Sequence, residues 1–420
     1  MQKFCVSTFA PKLPKDVLNI LDTLHNAGYD AYIVGGCVRD MILCEIEGSN
    51  IYPSDYDIAT SAEPNEVSRL FNHCIPTGLK HGTITVLLQS QSYEITTFRI
   101  DGTYSNSRSP DNVYFSKSLF DDLNRRDFSI NALAYAPDTG LIDKVGGVAD
   151  ILNKRIVCVG DSFIRFREDS LRILRAMRFA STLGFEIESR TKDAMFALSA
   201  NLLSIARERI RVELGKLLCG LYAKEVLDEF LHIIRIIVPQ IPAKYSFSYF
   251  KNLSKRTTCI AWACFLYPCL NVDSILSSLR FDNKTKSYIF ALLQVCKISF
   301  DMNALEIKHL IVRFGGRDNG SLLNAECIIK DVLIIKDAMG EDKCVLHNFE
   351  NLFYQILKSN VPLSLKELCL DGNAIVDIGF KGKKVGEVLR LLLIEVLEGK
   401  IPNTKHALLN KAQSFLESSH

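Results

Sequence analysis

The stretch Asp55-Tyr56-Asp57 places two carboxylates one residue apart, and Ile58-Ala59-Thr60 continues it as a short apolar strand. Residues i and i+2 of a strand face the same way, so Asp55 and Asp57 project together with Tyr56 opposite. Two adjacent carboxylates repel unless a cation neutralises them. Hard oxygen ligands suit Mg²⁺, which one or two carboxylates commonly hold together with substrate phosphates. The pattern also fits a solvated strand edge or a helix-capping aspartate. Upstream, Gly35 and Gly36 join the apolar AYIV to CVRDMIL, which reads as a helix start. Backbone N–H groups at such a turn can reach a phosphate, and glycine permits close approach. Arg39, in the helix's first turns, either contacts a phosphate or pairs with Asp40 or another acid. A glycine cradle and an acidic pair within about twenty residues point to chemistry on a metal-bound nucleoside triphosphate.

Glu94 lies on a neighbouring predicted strand, as a third carboxylate or an ordinary salt-bridge partner. Residues 125–131, RRDFSIN, form a second cluster. Arg125 and Arg126 can bind phosphates, and Asp127 and Asn131 can hydrogen-bond a ribose. The spacing of Asp127 and Asn131 predicts one shared helical face. The alternative is a capped helix start with surface arginines.

These residues need elements to hold them. Residues 15–28 have helical apolar spacing closed by Gly28. AYIV predicts a strand, and Glu63 to Phe71 a helix with Pro64 in its first turn. TITVLL (83–88) and YEITTFRI (93–100) predict an antiparallel pair. Residues 101–111 are rich in Gly, Ser, Asn and Pro and predict a loop. Beyond Leu119 the signal turns helical. The expectation is an α+β head over 1–145 with a mixed or antiparallel sheet, an all-α neck over 146–220, and an all-α body and tail over 221–420.

Composition agrees with several globular domains: 420 residues, 48% hydrophobic and 23% charged. A net charge of +2 argues against a strongly basic nucleic-acid binder, while local clusters can still hold phosphates. Thirteen cysteines without CxxC or metal spacing predict reduced thiols in a cytoplasmic protein. The N-terminus lacks a signal-peptide plan. The apolar run from Thr258 to Leu270 is too short for a membrane span and predicts a core helix.

Seven stretches in order, GGCVRD (35–40), DYDIAT (55–60), PTGLKHGTITV (76–86), TTFRIDGTY (96–104), RRDFSINALAY (125–135), EDSLRILRAMRFA (168–180) and RERIRVELGKLL (207–218), resemble the class II tRNA nucleotidyltransferase/poly(A) polymerase family of the polymerase β-like superfamily. DIGFKGKKVGEVL and GKIPN resemble its tail. The resemblance implies that Asp55 and Asp57 hold a catalytic Mg²⁺ and that Gly35, Gly36 and Arg39 meet the triphosphate. It implies that Arg125, Arg126, Asp127 and Asn131 recognise the ribose. Glu168, Asp169 and Arg172 match the family's EDxxR, in which side chains replace a nucleic-acid template.

Asp169 and Arg172 are expected on one helical face, with Arg175 and Arg178 extending a solvated or RNA-facing stripe. A carboxylate accepts from the amino group of C or A, and a guanidinium donates to ring nitrogens or the cytosine carbonyl. From spacing alone an intrahelical salt bridge is the simpler reading of Asp169 and Arg172. Within the motif set the base-selecting role is the expectation.

Two departures stand out. Residues 45–52, EIEGSNIY, look like an insertion before the acidic strand. The loop that helps the family switch from C to A keeps Arg99, Asp101 and Arg108 but lacks other charges of the pattern.

The resemblance implies addition of C, C and A to a tRNA 3′ end from CTP and ATP, with pyrophosphate released. The partners are tRNA and the two nucleotides, without a membrane or an obligatory protein partner. The alternatives are a poly(A) polymerase or A-only enzyme, and an inactive RNA-binding homologue. Arg207, Arg209 and Arg211, with Lys381, Lys383 and Lys384, are candidate phosphate contacts or part of a solvated charged face.

Overall fold

A computed structural model describes residues 5–49, 53, 55–89, 91–102, 113–316 and 324–417. Packing divides the chain into two compact units, Met1–Pro239 and Gln240–His420.

The first unit is built on a seven-stranded mixed sheet. The first nine strands of the unit are β1 (Ala31–Val34), β2 (Asp57–Thr60), β3 (Cys74–Gly78), β4 (Thr83–Leu88), β5 (Gln91–Thr97), β6 (Arg99–Asp101), β7 (Val113–Phe115), β8 (Leu133–Ala136) and β9 (Gly140–Asp143). The large sheet runs β3-β4-β5-β2-β1-β8-β9, and β6 with β7 forms a separate ribbon. Only β2 and β5 run parallel in the large sheet. Val34, Ala59, Phe98, Ala132 and Ala134 pack with Leu123 and Val159 into a buried cluster behind the sheet. Burying such side chains is the main favourable term holding the strands in register.

The register positions the chemistry. Val34 lies opposite Asp57 in the antiparallel β1–β2 pair. The glycine turn that follows β1 therefore begins beside the acidic end of β2. Glu94 lies opposite Asp57 across the parallel β2–β5 pair.

Most predicted elements form. The first helix is Lys15–Asn26, and the Pro64–Leu70 helix opens with a Glu63/Glu66 capping box. The predicted 93–100 strand breaks at Phe98, which is fully buried and donates its N–H to the Thr60 carbonyl at 2.7 Å. Within 45–52 the described residues are not all turn. Glu45 to Glu47 end the helix begun at Gly36, and Gly48 closes it in the left-handed conformation. Residues 50–52 lie outside the described ones, as does Arg108.

The segment after 145 is not wholly helical. Arg155–Ile156 and Glu186–Ile187 form a two-stranded parallel sheet. The Leu171–Leu183 and Arg207–Leu218 helices pack together near it. Among the described residues every regular element of the second unit is a helix, with Ile260 to Leu266 buried on one apolar helix. Among the described residues no helix is long and apolar enough to cross a membrane.

Candidate active site

A cleft of about 430 Å³ in the first unit is lined by Gly35, Gly36, Arg39, Asp57, Arg125, Arg126, Asp127, Asn131, Asp169, Arg172, Arg175, Arg178 and Phe179. Residues from the turn after β1, the start of β2, the RRDFSIN segment and the Leu171–Leu183 helix thus meet in one place.

Gly35 has φ +81°, a conformation side chains rarely adopt. A Cβ there would stand 2.9 Å from Arg126 Nη1 and 4.0 Å from Asp57 Oδ2. The positive φ requires glycine, and an added methyl would also push the end of the Arg126 side chain aside. Gly36 opens a helix of twelve residues, whose first N–H groups have no intrahelical partner.

Tyr56 is buried, while Asp55 and Asp57 on either side of it are exposed. The alternation holds although the strand itself begins only at Asp57. Although Asp57 is exposed as a residue, the cleft wall partly desolvates its carboxyl and raises it above its usual range; Arg126 opposes the rise, and Asp55 adds to it. Among the described residues no three His, Cys, Asp or Glu side chains gather as a ligand set. The chemistry of the donor pair fits a divalent cation that keeps other coordination positions for water and phosphate.

Asp127 and Asn131 come together, but not through an α-helix. Ser129–Asn131 is a single 3₁₀ turn. Asn131 Nδ2 donates to Asp127 Oδ1 at 3.2 Å, and Asn131 Oδ1 accepts from Arg39 Nη1 at 2.5 Å. Arg39 also pairs with Asp40 at 2.7 Å. Arg175 Nε donates to Asp127 Oδ2 at 2.7 Å. Burial would raise the Asp127 carboxyl, yet Arg175, the Asn131 hydrogen bond and Arg172 together hold the group down at about 2.

The EDxxR stretch differs from the expected single helix. Glu168 ends the Ser162–Glu168 helix, Asp169 is extended at φ −140°, and the next helix begins at Leu171. Asp169 and Arg172 therefore do not share a helical face. The Asp169 side chain accepts from the Leu171 N–H at 3.0 Å, which satisfies a helix-start donor and makes the break. Asp169 Oδ2 then pairs with Arg209 Nη2 at 2.7 Å, while Arg172 pairs with Glu168 at 2.8 Å. Arg172 also donates to the Arg165 and Arg125 carbonyls. Asp169 and Arg172 both line the cleft; Glu168 does not.

Phe179 carries three cations. Arg178, Arg39 and Arg175 lie 4.2, 5.2 and 5.6 Å from its ring centre. Burial lowers the Arg178 guanidinium's proton affinity, and Glu213 opposes this from 3.0 Å.

Three residues of this network have no role in the reading by motif: Asp122, which lies outside the quoted stretches, and Phe179 and Glu213, which lie inside them. Asp122 is fully buried and grips Arg125 and Arg126. Burial would raise its carboxyl, but the two arginines hold it below the usual range. Its signal is the i, i+3 and i, i+4 spacing to those arginines.

Of the remaining candidates, Arg99 donates to the His81 carbonyl and β6 includes the Asp101 backbone. Arg207, Arg209 and Arg211 lie on the Arg207–Leu218 helix, with Arg209 turned to Asp169. Lys381, Lys383 and Lys384 are exposed on the second unit, away from the described cleft residues in sequence.

Three family models match: the Poly A polymerase head domain over 31–157, the probable RNA and SrmB-binding site of polymerase A over 184–243, and the putative tRNA nucleotidyltransferase domain 2 over 253–412. The CCA-adding enzyme of Leuconostoc citreum is 33% identical over 97% of this chain and 98% of its own. That likeness decides the family. The chain belongs to the CCA-adding enzymes. The CCA-adding enzyme of Ligilactobacillus salivarius is 36% identical over 96% of this chain and 97% of its own. The crystal structure of the Bacillus stearothermophilus CCA-adding enzyme in complex with CTP is 29% identical, covers 96% of this chain and 98% of that one, and superposes with a TM-score of 0.77.

The mixed-sheet head and helical remainder are thus those of CCA-adding enzymes. The enzyme class is nucleotidyl transfer to tRNA without a nucleic-acid template, a chemistry generally dependent on a divalent metal. The poly(A) and A-only alternatives are not favoured.

Proposed function

We propose that the chain adds CMP, CMP and then AMP to the 3′ end of tRNA in the cytoplasm, using CTP, ATP and Mg²⁺ and releasing pyrophosphate. The observation that carries this reading is one cleft bordered by an acidic strand, a glycine turn, a buried Asp127–Asn131 pair and Asp169 with Arg172.

Asp55 and Asp57 hold the cation, which when bound neutralises triphosphate charge and lowers the pKa of the attacking hydroxyl. The Gly35–Gly36 turn and the helix N-terminus behind it receive phosphate oxygens. Arg125 and Arg126 add positive charge there. Asp127 and Asn131 orient the ribose, and Arg175 keeps Asp127 ionised as an acceptor. Asp169 accepts from the amino group of C or A, and Arg172 donates beside it. A base presenting a carbonyl at that place leaves Asp169 facing another acceptor, which a closed polar site rejects strongly. The head, neck and body divisions at 145 and 220 assign catalysis, selection and tRNA binding in turn. The exposed Lys381, Lys383 and Lys384 are contacts to tRNA phosphates, as are Arg207 and Arg211.

The test is incorporation of labelled CMP by the Asp55→Ala and Asp57→Ala proteins. Each should lose transfer while still retarding tRNA in a gel. Full activity in both would remove the metal assignment.

A further inference from the structure

Asp122 lies just outside the RRDFSIN cluster and has no exposed surface. Its Oδ1 accepts from Nε and Nη2 of Arg125 at 2.9 and 2.7 Å. Its Oδ2 accepts from Nη2 of Arg126 at 3.1 Å. The far nitrogen of Arg126, Nη1, reaches the Asn131 carbonyl at 3.5 Å. That nitrogen and Asp57 Oδ2 border the same point, the space in front of Gly35. Arg126 is thus a cation poised beside a carboxylate assigned to a metal. Yet its ion pair is with Asp122, and none joins it to Asp57 among the described residues.

A guanidinium and a metal ion compete for the same carboxylate oxygens. An arginine stem is long enough to swing, and a charge-assisted hydrogen bond would reward the move. A fixed rival acceptor prevents it. Asp122 has the properties of such an acceptor, being buried, held ionised by its arginines, and anchored one helical turn before them.

We infer that Asp122 is a positioning residue that tethers Arg126 away from Asp57 and so keeps the Asp55–Asp57 pair open to a divalent cation. The inference rests on the assignment of Asp57 as a cation ligand. Removing the tether's charge frees Arg126 to close on Asp57, and cation affinity falls. Removing Arg126 as well abolishes the competition.

The experiment is Mn²⁺ binding to the full chain without nucleotide, followed by electron paramagnetic resonance. Asp122→Asn should bind Mn²⁺ about tenfold more weakly, the scale of one opposite charge within a few ångströms. Arg126→Gln should bind at least as tightly as the native chain. The double variant should match Arg126→Gln, recovering what Asp122→Asn lost. Unchanged binding in Asp122→Asn, or a double variant as weak as Asp122→Asn, would overturn the inference. If Asp122→Asn does not fold, Asp122→Ser, which also lacks the charge, takes its place, and the same comparison of single and double variants decides. A chain that follows this pattern but incorporates no CMP refutes the proposed function and leaves the tether standing. A chain that incorporates CMP without the pattern refutes the tether alone.

Discussion

Arg209 donates to the Asp169 carboxylate at 2.7 Å from a helix forty residues further along the chain. The Asp169 oxygens thus have two fixed partners, this guanidinium and the Leu171 N–H. A carboxylate held from two sides presents its remaining acceptor positions in one direction. Arg209→Ala should loosen that direction. We expect CTP-over-UTP selectivity, as a ratio of kcat/KM values, to fall about tenfold, with a smaller loss in kcat for CTP. Single-nucleotide kinetics with both triphosphates check this. Unchanged selectivity would make the pair merely structural.

The Asp127–Arg175 pair predicts an acid-stability signature. The Asp127 pKa is depressed to about 2 in the folded chain, against an ordinary value of 3.8. A depressed carboxylate contributes stability that is present above its unfolded pKa and lost as pH falls through the folded one. Asp127→Asn should cost about 2 kcal/mol at neutral pH, the scale set by the depressed carboxyl, because Arg175 loses its closest anion. It should also flatten the decline in stability between about pH 4 and pH 2. Urea denaturation across that range provides the measurement.

Gly35→Ala should damage triphosphate binding more than any other single methyl at this turn. The backbone is at φ +81° and the added Cβ meets Arg126 Nη1 at 2.9 Å. The strain is of order 1–3 kcal/mol. Isothermal titration with CTP should show affinity lowered by about tenfold or more, while Gly36→Ala, whose Cβ meets only Arg39 Nη2 at 3.5 Å, loses less.

Thiol chemistry offers a simple check of the packing. Burial pushes the Cys37 and Cys158 thiols up to about 12, and Cys296 likewise. Cys5, Cys344 and Cys369 are exposed. Brief alkylation of the native chain at neutral pH should label the exposed three and spare the buried three. Peptide mass mapping reads the result.

The strand–glycine–helix unit and the acidic alternation were legible because they depend on neighbours in sequence. Tyr56 is buried between two exposed aspartates because period two is a property of the extended backbone itself. The break at Asp169 was not legible. Glu168 through Arg178 carry helix-compatible residues, and only the capping bond from Leu171 to Asp169 shows where one helix stops. Arg209 shows a second limit. On its own helix it reads as one basic residue among three, and its partner comes from tertiary packing. Glu213 was equally hidden, since a glutamate in a charged helix gives no sign that it is buried against Arg178.

The proposed function requires a single cleft to add two C residues and then one A. The most direct measurement offers purified chain a tRNA ending before its CCA, with labelled CTP and ATP singly and together, and counts each residue added per tRNA. The expected result is two CMP with CTP alone and two CMP followed by one AMP with both. No CMP incorporation, or an open-ended run of AMP, would contradict it.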